Sequence, residues 1–164
     1  MARALIVGCG CRGRELGVAL LGRGWRTRGT TRDPGRAAAI AGAGIEPAVA
    51  DPDRAMTILD HVGDVTLLYW LLGSAAGDDD DAVAALHGPR LERILEEIVD
   101  TPVRGFVYEA AGTVAAEQRR RGAAIVAAAA ERWRIPCRVV DSDPGAIDGW
   151  RRAMLDAATD LTGI

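Results

Sequence analysis

The chain has 164 residues, 49% of them hydrophobic and 26% charged, with a formal net charge of −3. That length supports one domain able to bury roughly 70% of its unfolded surface without disulfide or metal staples, and the composition excludes extensive disorder. The charge provides no global field for nucleic acid, no apolar run approaches the roughly 18 residues of a membrane span, and the N-terminal apolar run is too short for a signal peptide.

The first predicted element is a strand, Ala4-Leu5-Ile6-Val7, a continuous apolar run of the kind a parallel strand buried on both faces requires. It leads through Gly8-Cys9-Gly10-Cys11-Arg12-Gly13 into Arg14 to Leu21, where Leu16, Ala19 and Leu20 fall on one helical face. G-x-G-x-x-G between a strand and a helix predicts a phosphate cradle: Gly8 allows the tight turn, Gly10 a close backbone approach to a pyrophosphate, and Gly13 close helix packing. Amides at the helix start, Cys11 and Arg12 among them, would face the phosphates.

Gly22 and Gly24 end this helix, and Trp25 to Thr31 reads as the second strand, with Arg32 at its carboxyl end. In a dinucleotide site an acidic residue there would accept from the ribose 2′-hydroxyl of NAD, whereas an arginine pairs with the 2′-phosphate of NADP. Arg12 is expected to reach the same phosphate, so Arg32 and Arg12 favour NADP(H), with NAD(H) possible, and Thr31 is expected beside them in the cofactor site. Asp33 would be the ribose acid if the strand ended one residue further on; before Pro34 its simpler reading is a helix N-cap. That helix runs from Pro34 to about Ala41, and Ile45 to Ala50 is the third strand. Asp51 stands near an expected adenine position and also where it would cap a helix from Asp53 to His61. His61 is expected near that helix's terminal carbonyls.

Val65 to Leu72 is the fourth strand, long and apolar enough for the sheet centre, and its exit Gly73-Ser74-Ala75 is placed to pass the second phosphate or nicotinamide ribose. Asp78-Asp79-Asp80-Asp81 lacks the alternating spacing of an oxygen cage and reads as a solvated acidic run. Cys9-x-Cys11 has neither His61 nor His87 at a ligand spacing, so no metal is expected. A disulfide within the glycine turn would distort it, and three cysteines in reduced form suit a cytoplasmic setting.

Pro89 to Asp100 is a helix, Val103 to Ala110 the fifth strand, and about Val114 to Arg134 a long alanine-rich helix whose Arg119-Arg120-Arg121 reads as a solvated face. Ile135 to Val140 is the sixth strand and Ile147 to Leu161 the last amphipathic helix, which packs on the core or at an oligomer interface. The alternation predicts an α/β, doubly wound parallel sheet of about six strands, a Rossmann fold, in one domain spanning 1–164. His87, Glu109, Thr113 and Tyr69 are the side chains available for proton transfer. The simpler readings are a loop hydrogen bond for His87 and burial for Tyr69 and Tyr108. The alanine-rich helix would also allow close packing in a homodimer.

With Gly8, Gly10, Gly13 and Gly17 at its start and Gly29-Thr30-Thr31-Arg32 at its second strand, the chain resembles the NAD(P)-binding core of the short-chain dehydrogenase/reductase superfamily. The atypical or extended, epimerase/dehydratase-like branch is the nearest match. The resemblance implies Gly8, Gly10, Arg12 and Gly13 at the pyrophosphate, Arg32 at the adenosine phosphate, Asp51 near adenine, and Gly73 and Ser74 beside the nicotinamide half. It also implies a catalytic tyrosine with a lysine four residues on, whereas every one of the 20 basic residues here is arginine. Extended members carry a further substrate-binding region, and the residues after the sixth strand are too few to form one. Two functions follow as expectations: a small oxidoreductase that orients NADP(H) for an unknown substrate, or a non-catalytic NADP(H)-binding sensor or scaffold acting on a protein partner. No nucleic acid or membrane is expected as a partner.

Overall fold

The computed structural model describes residues 1–77 and 79–164. Strand β1, Arg3–Val7, is buried along its whole length and is flanked on both sides by parallel neighbours, β2 (Arg26–Thr31) and β4 (Leu67–Trp70). Beyond them lie β3 (Glu46–Val49) on one edge, and β5 (Gly105–Glu109) and then β6 (Cys137–Val140) on the other. The order β3-β2-β1-β4-β5-β6, all parallel, is the doubly wound arrangement expected from the strand and helix alternation.

Two-residue periodicity sorts the strand side chains into two cores. Leu5, Val7, Leu68, Trp70, Phe106 and Tyr108 point to one face. There they meet Leu91, Ile94 and Leu95 of α5 (Pro89–Glu97) and Val126 of α6 (Ala116–Trp133). Ala4, Ile6, Tyr69 and Val107 point to the other. That face is covered by Leu16 and Leu20 of α1 (Cys11–Gly22) and by Trp150 and Met154 of α7 (Ile147–Thr162). Each fully buried side chain of this size contributes about 1.5–3 kcal/mol of apolar burial.

The remaining helices are short: α2 (Ala37–Gly42), which follows a 3-10 turn at Pro34–Arg36, α3 (Ala55–Leu59) and α4 (Asp80–Leu86). Asp33 caps the 3-10 turn by accepting from the Gly35 amide at 2.9 Å. The acidic run is a helix start rather than merely a solvated stretch, because Asp79 accepts from the Ala82 amide at 2.7 Å and Asp80 and Asp81 occupy the first turn of α4. Carboxylates are stabilised there by the unpaired amides and the helix dipole. Asp78 lies outside the described residues, among which no group of histidine, cysteine and acidic side chains could hold a metal ion.

Other expectations change in detail. Strand β4 stops at Trp70 instead of Leu72, although the Leu71 amide still donates to the Val7 carbonyl. Beyond that bond β1 has already turned away at Gly8, and on the other side the Gly73 amide goes to the Glu109 side chain instead of continuing the ladder with β5. Asp51 does not cap α3; its side chain accepts from the Asp53 amide at 2.9 Å and closes a turn before the helix. Arg119 is half-buried and not part of a solvated face, because it donates to the carbonyls of Ala110 and Val114 at 2.7 Å each. It thereby fastens the exit of β5 to α6.

At the opposite end of the sheet from the glycine turn, Arg3 and Arg28 are buried side by side and share Glu46 and Asp64. Arg28 donates to both Asp64 oxygens, at 2.8 and 3.4 Å, and to the His61 carbonyl at 2.7 Å. His61 thus contributes its backbone to the cluster. The largest influence on Asp64 is the Arg28 hydrogen bond, which with the charges of Arg28 and Arg3 outweighs the opposing effect of burial and holds the carboxyl below its ordinary range. Burial acts upward on Glu46, but Arg28 and Arg3 together bring it down as well.

Candidate functional site

The site is built where the strand order reverses. From β1 the chain leads out to β2 on one side and β4 lies on the other, so the loops at their carboxyl ends diverge and leave a crevice. Gly8 makes the turn out of β1 at φ +87°, and a Cβ added there would come 2.5 Å from the Leu71 carbonyl oxygen. Its amide reaches Thr30 Oγ1 at 3.3 Å, and the Cys9 amide donates to the Thr30 carbonyl at 3.0 Å, so β2 holds the turn in place. Gly10 caps α1 without a side chain, and nothing lies within 4 Å of the position its Cβ would take.

As a result, the amides of Cys11, Arg12 and Gly13 have no acceptor among the described residues, and they open the first turn of a twelve-residue helix. Unpaired amides at the positive end of a helix form an anion site. They face a cleft of about 650 Å³, within the range of small-molecule and cofactor sites.

The cleft brings together Gly8, Gly10, Cys11, Arg12, Gly13, Thr31, Arg32, Ser74 and Glu109 of the residues singled out in the sequence. Arg32 is exposed on its wall and donates to the Ala76 carbonyl at a long 3.4 Å. Thr31 closes the turn after β2 by exchanging hydrogen bonds with the backbone of Asp33. Ser74 Oγ accepts from the Thr113 amide at 3.2 Å. Arg12 reaches away from Arg32, donating from Nε to the Pro144 carbonyl at 2.9 Å in the loop before α7. The second guanidinium on Arg32's side of the cleft is instead Arg36, in the turn that Asp33 caps.

The other sequence candidates lie elsewhere. Asp51 is outside the cleft wall, which uses its neighbours Ala50 and Pro52. Gly73 is behind the wall with its amide already donated to Glu109 Oε1 at 3.0 Å, and a Cβ there would meet the Ala111 carbonyl oxygen at 1.9 Å. Thr113 is exposed outside it. Tyr69 is fully buried under α7, its hydroxyl donating to the Met154 carbonyl at 2.9 Å, and burial pushes its pKa well up. It is therefore not a proton donor at the cleft. His87 is also fully buried: Nε2–H donates to the Leu72 carbonyl at 2.8 Å and Nδ1 accepts from the Tyr108 hydroxyl. Burial lowers its pKa, which keeps the ring neutral and makes it the loop hydrogen-bonder of the simpler reading.

Glu109 is different. It ends β5, is 3% exposed, and lines the cleft. Oε1 accepts from the Gly73 amide and Oε2 from the Trp150 indole Nε1–H at 2.8 Å. Burial raises its pKa against the opposing effects of the Trp150 and Gly73 donors and the Arg12 charge. Trp150 was not legible as a site residue, because a tryptophan on an amphipathic helix reads as core, and most of this one is core. Only the packing of α7 against β5 turns its polar edge to the carboxylate.

No protein-family model matches the chain, and no curated protein matches it. Among solved structures it is similar to a short-chain dehydrogenase/reductase superfamily protein from Agrobacterium tumefaciens with bound NAD, with TM-score 0.68 and 19% identity over 85% of this chain and 48% of that one. It is similar also to UDP-glucuronic acid 4-epimerase from Bacillus cereus in complex with NAD, with TM-score 0.67 and 13% identity over 85% of this chain and 55% of that one. UDP-N-acetylglucosamine 4-epimerase from Bacillus cereus matches with TM-score 0.69 and 10% identity, over 86% of this chain and 53% of that one. The chain thus spans about half the length of these structures. Its fold is that of the Rossmann core they share.

Proposed function

We propose that the chain binds a nicotinamide dinucleotide in this cleft, with NADP(H) preferred. The observation that carries the reading is the start of α1: three unpaired amides open into the crevice beside a Gly10 whose Cβ direction is empty. A pyrophosphate needs such donors and that space. The dinucleotides named with the similar structures support the same ligand class. Arg32 and Arg36, both on the wall beyond β2, supply the charge for an adenosine 2′-phosphate in place of the acidic residue that suits a free ribose. Arg12, fixed on Pro144, belongs to the pyrophosphate side.

When bound, the cofactor supplies hydride chemistry. The chain's own contribution is to hold and orient it, with the Leu71, Leu72 and Trp150 surfaces forming the apolar part of the wall. We propose an oxidoreductase-like role on an unidentified small molecule. A second reading, a cofactor-binding sensor acting on a protein partner, is favoured by one observation. Both tyrosine hydroxyls are taken up inside the protein, by Met154 and His87, and no lysine occurs in these 164 residues to pair with either.

Calorimetric titration with NADPH and NADH side by side tests the binding. Tight NADPH with weaker NADH is the expected result, and absence of both would remove the reading. Gly10→Val supplies the matched control. The glycine has φ −82° and free space beyond it, so valine should leave the thermal transition nearly unchanged while filling the phosphate position and abolishing binding of both cofactors. Undiminished binding by this variant would mean that the glycine turn serves packing alone.

A further inference from the structure

We infer that the Glu109 carboxylate makes the cleft discriminate between the oxidation states of the nicotinamide ring, holding the cationic oxidised form more tightly than the neutral reduced form. The inference rests on the proposed dinucleotide binding and adds to it a residue and a direction.

Glu109 is nine-tenths buried or more and lines the cleft from the end of β5. Its two oxygens each accept from an N–H, that of Gly73 and that of Trp150. Both donors suit an ionised carboxylate, which can only accept; a protonated carboxyl would need an acceptor for its own hydrogen, and none bonds to it among the described residues. No cationic side chain forms an ion pair with it among the described residues, and Arg12, whose charge reaches it, is bonded to the Pro144 carbonyl. A buried carboxylate with hydrogen bonds but no ion-pair partner in contact is costly, and a cation in the adjoining space relieves that cost.

Sheet topology says which part of a dinucleotide comes near it. The half of the sheet formed by β1, β2 and β3 serves one mononucleotide, and the half formed by β4, β5 and β6 the other. Arg32 and Arg36 mark the first half as the adenosine side, so Glu109 belongs to the nicotinamide side. The oxidised nicotinamide ring carries a positive charge and the reduced ring does not. The rest of the two cofactor forms is the same, so a fixed negative charge at this end acts on the difference between them. It enters as differential affinity, the only quantity by which a site can respond to redox state.

The test is the ratio of dissociation constants, reduced over oxidised, measured by calorimetry at mildly alkaline pH for NADPH and NADP⁺ and again for NADH and NAD⁺. In Glu109→Gln that ratio should fall roughly tenfold relative to the unaltered protein, the order expected of one full charge across a partly shielded groove. Glutamine cannot accept from both N–H groups at once, so the double variant Glu109→Gln with Trp150→Phe removes the unmatched indole donor and keeps the measurement possible if the single variant folds poorly. Trp150→Phe alone retains the carboxylate and should retain the discrimination, which separates charge from loosened packing. An unchanged ratio in both glutamine variants, with both cofactor forms still bound, overturns the inference and leaves the binding reading intact. Absence of binding by the unaltered protein overturns both.

Discussion

The side chains that shape the candidate site do so mainly by what they leave open. Gly10 leaves the start of α1 uncovered, and Gly8 turns the chain at a positive φ, where its Cβ would also collide with the Leu71 carbonyl. Arg32 is the residue on which the proposed NADP(H) preference turns. It is exposed on the cleft wall, with one long hydrogen bond to Ala76 to give up. Replacing it with glutamate should weaken NADPH by about 1.5–3 kcal/mol, the worth of a well-formed hydrogen bond to a charged group, and leave NADH nearly unaffected. Equal losses for both cofactors in the same titration would take Arg32 away from the 2′-phosphate. Glu109 lines the same cleft from the end of β5.

At the level of elements, the helices divide between those that build the site and those that only cover the sheet. Helix α1 presents its amino end to the crevice, and α7 lays Trp150 under the same crevice while Met154 takes the Tyr69 hydroxyl. The short helix α4 follows the loop that carries Ser74 past the cleft, and its start depends on one side chain, Asp79. Asp79→Ala should destabilise the protein by about 1 kcal/mol, the usual cost of losing an N-cap, as a lowered urea midpoint with unchanged slope. No loss of stability would show that packing of Leu86 holds α4 without its cap. The expected α3 was longer than the one formed because Asp51 closes a separate turn, with its amide and carbonyl both bonded to Thr57 Oγ1. The residues after it are thereby used before a helix can start.

For the whole molecule, the sheet has two unlike ends. The carboxyl ends of the strands open into the cleft, whereas the other end is closed by Arg3, Arg28, Glu46 and Asp64. Because Asp64 titrates below its unfolded value of about 3.9, ionisation favours the fold above that pH, and the gain is lost as pH falls through the folded pKa. Asp64→Asn should therefore lower the urea midpoint at about pH 7, and the gap to the unaltered protein should narrow as pH falls below about 4. A gap that stays constant over that range would assign the effect to packing instead of charge. Two buried arginines left without this partner make the neutral-pH loss more than that of an ordinary surface pair. Among the described residues no helix is long and apolar enough to cross a membrane.

The sequence alone was enough for the alternation of six strands with helices, the position of the glycine turn, and the arginine after β2. These are local properties: continuous apolar runs, a glycine spacing and a residue at a strand end, each readable within a few positions. It was enough also to name Glu109, though only as one of four acid–base candidates, two of which, His87 and Tyr69, already had simpler readings. Separating those four took the tertiary structure. Tyr69 and Glu109 each end up buried, but the pleat and the packing of α7 turn one hydroxyl inward to Met154 and set one carboxylate at the cleft. The same holds for Arg12 and Arg36, whose directions depend on the loop before α7 and on the turn after β2. Where a side chain points is decided by neighbours distant in the chain, and no spacing within the sequence records them.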